Sequence, residues 1–107
     1  MIPFIKEIDN VKEQIIEKYN PLKIILFGSC AKGIAKDSSD IDLCVICEYE
    51  SKKDKLMDML INIQSDRAID FILYRPGEWE KYIEDSTTFA SLIKREGVVL
   101  YGWYIKI

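Results

Sequence analysis

Phe27-Gly28-Ser29-Cys30-Ala31-Lys32-Gly33, followed after a polar loop by Ser38-Ser39-Asp40-Ile41-Asp42-Leu43, is the stretch whose reading decides the fold. Residues 22–27 form a short, nearly continuous apolar run, the pattern of a buried strand. The run ends at Gly28, and residues 29–33 follow as a short helical turn. Where a strand enters a helical turn, free backbone N–H groups face outward, and the Ser29 hydroxyl adds a donor. Such a junction suits an anion of the phosphate kind. Gly28 allows the backbone to approach a ligand closely, and Lys32 lies one helical turn beyond Ser29. Residues 34–39 read as a polar loop and residues 40–47 as a second strand. Asp40 and Asp42 are two apart on it, so their carboxylates project from one face. Two neighbouring carboxylates repel unless a cation lies between them, and an all-oxygen set suits a hard ion such as Mg²⁺.

Working outward, Phe4, Ile5, Ile8, Val11, Ile15 and Ile16 recur at helical spacing, and Asn20-Pro21 stops the pattern. Downstream, Ser51 to Asp54 opens a second long helix with apolar positions Leu56, Met57, Leu60, Ile61 and Ile63, ended by Asp66-Arg67. Residues 68–74 predict a third strand, and Pro76-Gly77 a turn. Trp79, Tyr82 and Ile83 give one or two helical turns. Ser86-Thr87-Thr88 offers N-caps for a helix carrying Phe89, Leu92 and Ile93, with Gly97 as its C-cap. Residues 98–105 predict a last strand or an extended tail. The order is αβαβαβααβ, without repeats or a linker, which predicts a single domain over residues 1–107. A small mixed β-sheet flanked by helices, an α+β fold with the helices mainly on one side, is expected.

Composition narrows the chemistry. The 107 residues are 49% hydrophobic and 31% charged, an ordinary globular balance with room for one core. Fifteen basic against 18 acidic residues give a net charge of −3, so no general attraction to nucleic acid is expected. The chain contains no histidine. Ser-His-Asp and Cys-His hydrolases, zincin-type proteases and histidine-dependent nucleases are therefore excluded. Cys44 and Cys47 have the spacing of a metal or redox pair, but on a strand residues three apart face opposite ways, so they read as small buried side chains. An odd number of thiols and the lack of a secretory segment predict the cytoplasm.

A third acid joins the pair. Asp70 lies between Ile69 and Phe71 near the start of the third strand, where an uncompensated charge would be costly. The intervening helix suits a parallel crossover, which would set Asp70 beside Asp40 and Asp42. Three carboxylates can hold two Mg²⁺ ions.

Gly28-Ser29, ten intervening residues and then Asp40-Ile41-Asp42 resembles the signature of the DNA polymerase β-like nucleotidyltransferase superfamily, and within it the minimal nucleotidyltransferases of MntA-type antitoxins. The resemblance covers most of the chain, including the Asp70 strand and Ile93-Lys94-Arg95-Glu96-Gly97-Val98-Val99-Leu100-Tyr101. It implies a palm-like nucleotidyltransferase fold and transfer of AMP from Mg-ATP to a hydroxyl. On that resemblance Asp40, Asp42 and Asp70 are the catalytic and metal-binding residues, Asp70 also helping to deprotonate the acceptor. Gly28, Ser29, Lys32 and Ser39 would bind the nucleotide. The acceptor implied is a tyrosine of a partner HEPN-domain RNase toxin, silenced by AMP in a hetero-oligomer. Alternatives stay open: a small-molecule acceptor, as in aminoglycoside-modifying relatives, or an antitoxin acting by contact alone. Asp70 could instead pair with Arg67 or Arg75, Lys32 could be a solvated lysine, and Ser38 and Ser39 could cap the loop. Tyr101, Trp103 and Tyr104 could mark a partner surface or cover the sheet.

Overall fold

The computed structural model describes residues 2–102, and its elements follow the expected order: α1 (Ile5–Tyr19), β1 (Lys23–Phe27), α2 (Gly28–Lys32), β2 (Ile41–Ile46), α3 (Lys52–Asn62), β3 (Ile69–Tyr74), α4 (Pro76–Tyr82), α5 (Phe89–Glu96) and β4 (Val98–Tyr101). The four strands form one mixed sheet in the order β3-β2-β1-β4. β1 runs antiparallel to β2 and β4, whereas β2 and β3 are parallel and joined by the α3 crossover. The expected α+β architecture, a small mixed sheet flanked by helices, is the one found.

Strand alternation divides the core in two. Ile24 and Leu26 of β1, Ile41, Leu43 and Val45 of β2, and Phe71 and Leu73 of β3 face α1 and α3, meeting Ile8, Val11, Ile15 and Met59. The alternate residues Ile25, Cys44, Ile46 and Tyr74 face the other way, toward Trp79 of α4 and Ala90 and Ile93 of α5. The helices therefore cover both faces and not mainly one. The reason lies in the strands themselves: β1 and β2 are apolar at almost every position, and each face needs its own cover. Cys44 falls in one cluster and Cys47 in the other, so the two thiols point apart as their spacing requires.

α3 departs from its expected register. It meets the core through Met59, with Leu56 and Ile63 partly buried beside it, while Met57, Leu60 and Ile61 are exposed. Positions 56, 59 and 63 form a narrow stripe, because α3 lies over β3, the edge of a sheet only four strands wide. Pro76-Gly77 is not a separate turn but the first turn of α4. Proline needs no N–H there, and the Glu78 carboxylate accepts the Arg75 N–H at 3.1 Å. Thr88 caps α5 by accepting the Ser91 N–H, and the N–H of Gly97 closes it on Ile93. β4 ends at Tyr101; Trp103 and Tyr104 lie outside the described residues. Among the described residues no helix is long and apolar enough to cross a membrane.

Candidate active site

The site is assembled where β1 gives way to α2. Leu26 is buried toward α1, so Phe27 turns to the α5 face, and Gly28 reverses the chain with φ +73°. In β2, Ile41 and Leu43 are buried toward α1, which leaves Asp42 on the same face as Phe27. Phe27 and Asp42 are cross-strand partners, and Asp42 and Asp70 are partners in the parallel pair. The parity that buries Phe71 and Leu73 thus brings Asp70 beside Asp42. Asp40 stands exposed just ahead of β2, two residues before Asp42 and on the same side.

Gly28 closes the geometry. A Cβ built on it would overlap Oδ2 of Asp42. The backbone of the turn and the Asp42 carboxylate are therefore in direct contact, and any side chain at position 28 would separate them. Burial, the charges of Asp70 and Asp40, and a hydrogen bond with Asp70 push the Asp42 carboxyl up to about 6. A carboxyl so placed gains from a cation more than an exposed one does.

Other expected site residues have identifiable partners. The Lys32 ammonium lies 2.9 Å from Glu96 at the end of α5, with both side chains about half exposed. The Ser39 hydroxyl accepts the Lys36 N–H at 2.8 Å and so closes a turn in the loop before Asp40. Ser29, in the first turn of α2, accepts the Ile34 N–H on its carbonyl, at 3.1 Å. Arg67 donates to the Asp37 carbonyl at 2.7 Å, and Arg75 donates to the carbonyls of Tyr49 and Glu50. Among the described residues neither arginine forms an ion pair with Asp70.

Two supporting contacts are not read from the sequence, where Arg67 figures only as a helix end and a possible partner of Asp70. Arg67 fastens the loop three residues ahead of Asp40 and lays its guanidinium 3.3 Å from the Phe4 ring centroid. The buried Cys30 thiol donates to the Asp40 carbonyl at 3.6 Å. The signal for Cys30 was its place inside the Gly28-Ser29 turn; Arg67 carried none, because its partner is a backbone atom thirty residues away.

The sequence matches the polymerase beta nucleotidyltransferase family over residues 9–103. The chain belongs to this family. The fold of this nucleotidyltransferase is shared with a candidate nucleotidyltransferase from Sulfolobus solfataricus, whose crystal structure covers 92% of this chain and 82% of its own at 20% identity, with a TM-score of 0.62. None of the curated proteins matches it in sequence. The family uses a nucleoside triphosphate and Mg²⁺. The nucleotidyltransferase described here carries donors that fit: carboxylate oxygens alone, two of them in adjacent register and mutually repelling. Among the described residues no three acidic or thiol side chains are already gathered as a metal-holding group.

Proposed function

We propose that this nucleotidyltransferase moves AMP from Mg-ATP onto a tyrosine hydroxyl of a HEPN-type RNase and thereby acts as its antitoxin. The observation that carries nucleotidyl transfer is the contact between the Gly28 turn and Asp42, with Asp70 next to it. Asp40, Asp42 and Asp70 would hold Mg²⁺, which when bound offsets the phosphate charge and favours the ionised acceptor. The Gly28-Ser29 turn binds the triphosphate through backbone N–H groups and orients its α-phosphorus over Asp42. Asp70 takes the proton of the acceptor hydroxyl. The acceptor oxygen forms its bond to the α-phosphorus as the bond to the β-phosphate oxygen breaks, and pyrophosphate leaves.

A protein acceptor is favoured by the openness of the site, where Asp40 and Asp70 face solvent. It is also favoured by an apolar strip on α3, where Met57, Leu60 and Ile61 are 51%, 53% and 73% exposed. Such a strip suits an interface better than water. The choice of ATP, of tyrosine and of a HEPN partner rests on the resemblance to MntA-type proteins. Co-expression with the product of the adjacent gene, followed by intact mass measurement, tests it. An increment of AMP on the partner that disappears with Asp42→Asn is the expected result. A partner that is bound and silenced but never modified, with ATP and Mg²⁺ supplied, overturns the enzymatic reading and leaves inhibition by contact.

A further inference from the structure

The sheet face that carries the acids also carries an aromatic side chain that the transfer chemistry leaves unused. Phe89, the first residue of α5, sets its ring against Phe27, with centroids 5.6 Å apart and planes at 85°. Phe27 is the cross-strand partner of Asp42 and the chain neighbour of Gly28. From α5 across β1 and β2 to β3, Phe89, Phe27, Asp42 and Asp70 therefore form one row. Phe89 is held on one side by Phe27 yet remains 47% exposed. Leu92, one turn further on the same helix face, is 37% exposed.

Directly opposite residues of paired strands stand about 5 Å apart, so the Phe89 ring lies on the order of 10 Å from the Asp42 carboxylate. That is about the reach of a nucleoside whose α-phosphate lies at the Gly28 turn. We propose that Phe89, backed by Phe27, is the stacking platform for the nucleobase of the triphosphate. The edge-to-face contact fixes the ring before the base arrives, which reduces the ordering cost of binding. Stacking reads a π-face and not a hydrogen-bonding edge, so the platform favours the larger purines without strict selection among bases. Leu92 extends its apolar border. This inference rests on the nucleotidyl-transfer reading of the site but not on the identity of the acceptor.

The test compares Mg-ATP with Mg-tripolyphosphate, which has the phosphates and lacks the base, on the parent protein, Phe89→Ala and Phe89→Trp. Calorimetry is expected to show about 10-fold weaker ATP binding for Phe89→Ala with tripolyphosphate binding unchanged. Phe89→Trp is expected to restore ATP affinity, and its added fluorescence is quenched by ATP but not by tripolyphosphate. Equal ATP affinity of Phe89→Ala and the parent overturns the platform while leaving the transfer reading intact. Loss of both ligands in Phe89→Ala also overturns it, marking the ring as structural. A parent that binds neither ligand overturns the transfer reading together with the platform.

Discussion

Gly28 and Asp42 leave no room for a side chain between them: a Cβ at position 28 would fall on Oδ2 of Asp42, and φ at Gly28 is +73°. On the proposed reading, the residue that shapes the turn for the triphosphate is also the one that admits the carboxylate for the metal. Gly28→Ala meets two penalties, a left-handed backbone and the displacement of Asp42. A loss of about 1–3 kcal/mol in stability is expected. Transfer should fall by on the order of 100-fold, because the carboxylate can no longer stand against the turn. Denaturant titration and a transfer assay on the same preparation check both. Parental turnover in Gly28→Ala would show that this contact is dispensable.

Asp42 makes the protein pH-dependent in an unusual sense. Its carboxyl is pushed from 3.8 up to about 6, chiefly by burial and then by Asp70 and Asp40. The folded state therefore holds this proton more tightly than the unfolded state does. Ionisation costs stability above pH 3.8, and the cost is complete above about pH 6. Without metal, this group makes the fold more stable as pH drops from 7 to 5. Asp42→Asn should remove the effect, stabilising the metal-free protein at pH 7 by about 1 kcal/mol after allowance for solvent screening. The variant should also lose transfer. Urea titrations of both proteins at pH 5, 6 and 7 in chelator isolate the contribution as their difference. A difference that does not change with pH would contradict it. For the same reason, Mg²⁺ affinity of the parent is expected to rise with pH through about 6.

The legible part of the structure is the part encoded by local pattern. Leu22 to Phe27, the Gly28 turn and the Asp40-Ile41-Asp42 strand are short-range signals, and the parallel pairing that brings Asp70 to Asp42 follows from one helix-length crossover. The face that each helix covers was not legible. The apolar pattern of α3 runs over 56, 57, 60, 61 and 63, but contact with an edge strand takes only 56 and 63 of these, adds Met59, and leaves 57, 60 and 61 exposed. The Lys32–Glu96 pair joins residues 64 positions apart, and the Arg67–Asp37 bond ends on a carbonyl; neither has a sequence signature. Phe89 reads from the sequence only as an apolar position of its helix, and the structure shows it half exposed beside Phe27.

Lys32 and Glu96 are 2.9 Å apart, and in solvent such a pair contributes little to stability, typically about 0–1 kcal/mol. The pair matters for binding if the ammonium is drawn to a triphosphate, since Glu96 then competes with phosphate. Glu96→Gln is expected to lower the KM for nucleotide about 2–5-fold while leaving the melting temperature nearly unchanged. Lys32→Ala should raise KM several-fold at similar kcat. Unchanged KM in Lys32→Ala would reduce the lysine to a tie between α2 and α5.

Asp70 lies on β3, the outer strand, and faces solvent, whereas Asp42 is sheltered between it and Phe27. The two acids should therefore differ in what they contribute. On the proposed reading the phosphates lie at the Gly28 turn on the β1 side, and the acceptor hydroxyl would then approach from the β3 side, next to Asp70. Asp70→Asn is then expected to lower kcat by about 100-fold or more and to leave triphosphate binding largely in place. Amidation also removes one of the two charges that raise the Asp42 carboxyl, so the pH dependence of metal-free stability should weaken in this variant. Calorimetry with a non-hydrolysable triphosphate in the presence of Mg²⁺, alongside single-turnover transfer, separates binding from chemistry. If binding disappears together with turnover while melting is unchanged, Asp70 belongs with Asp42 as a ligand of the triphosphate-bound metal, and the acceptor proton must leave by another route.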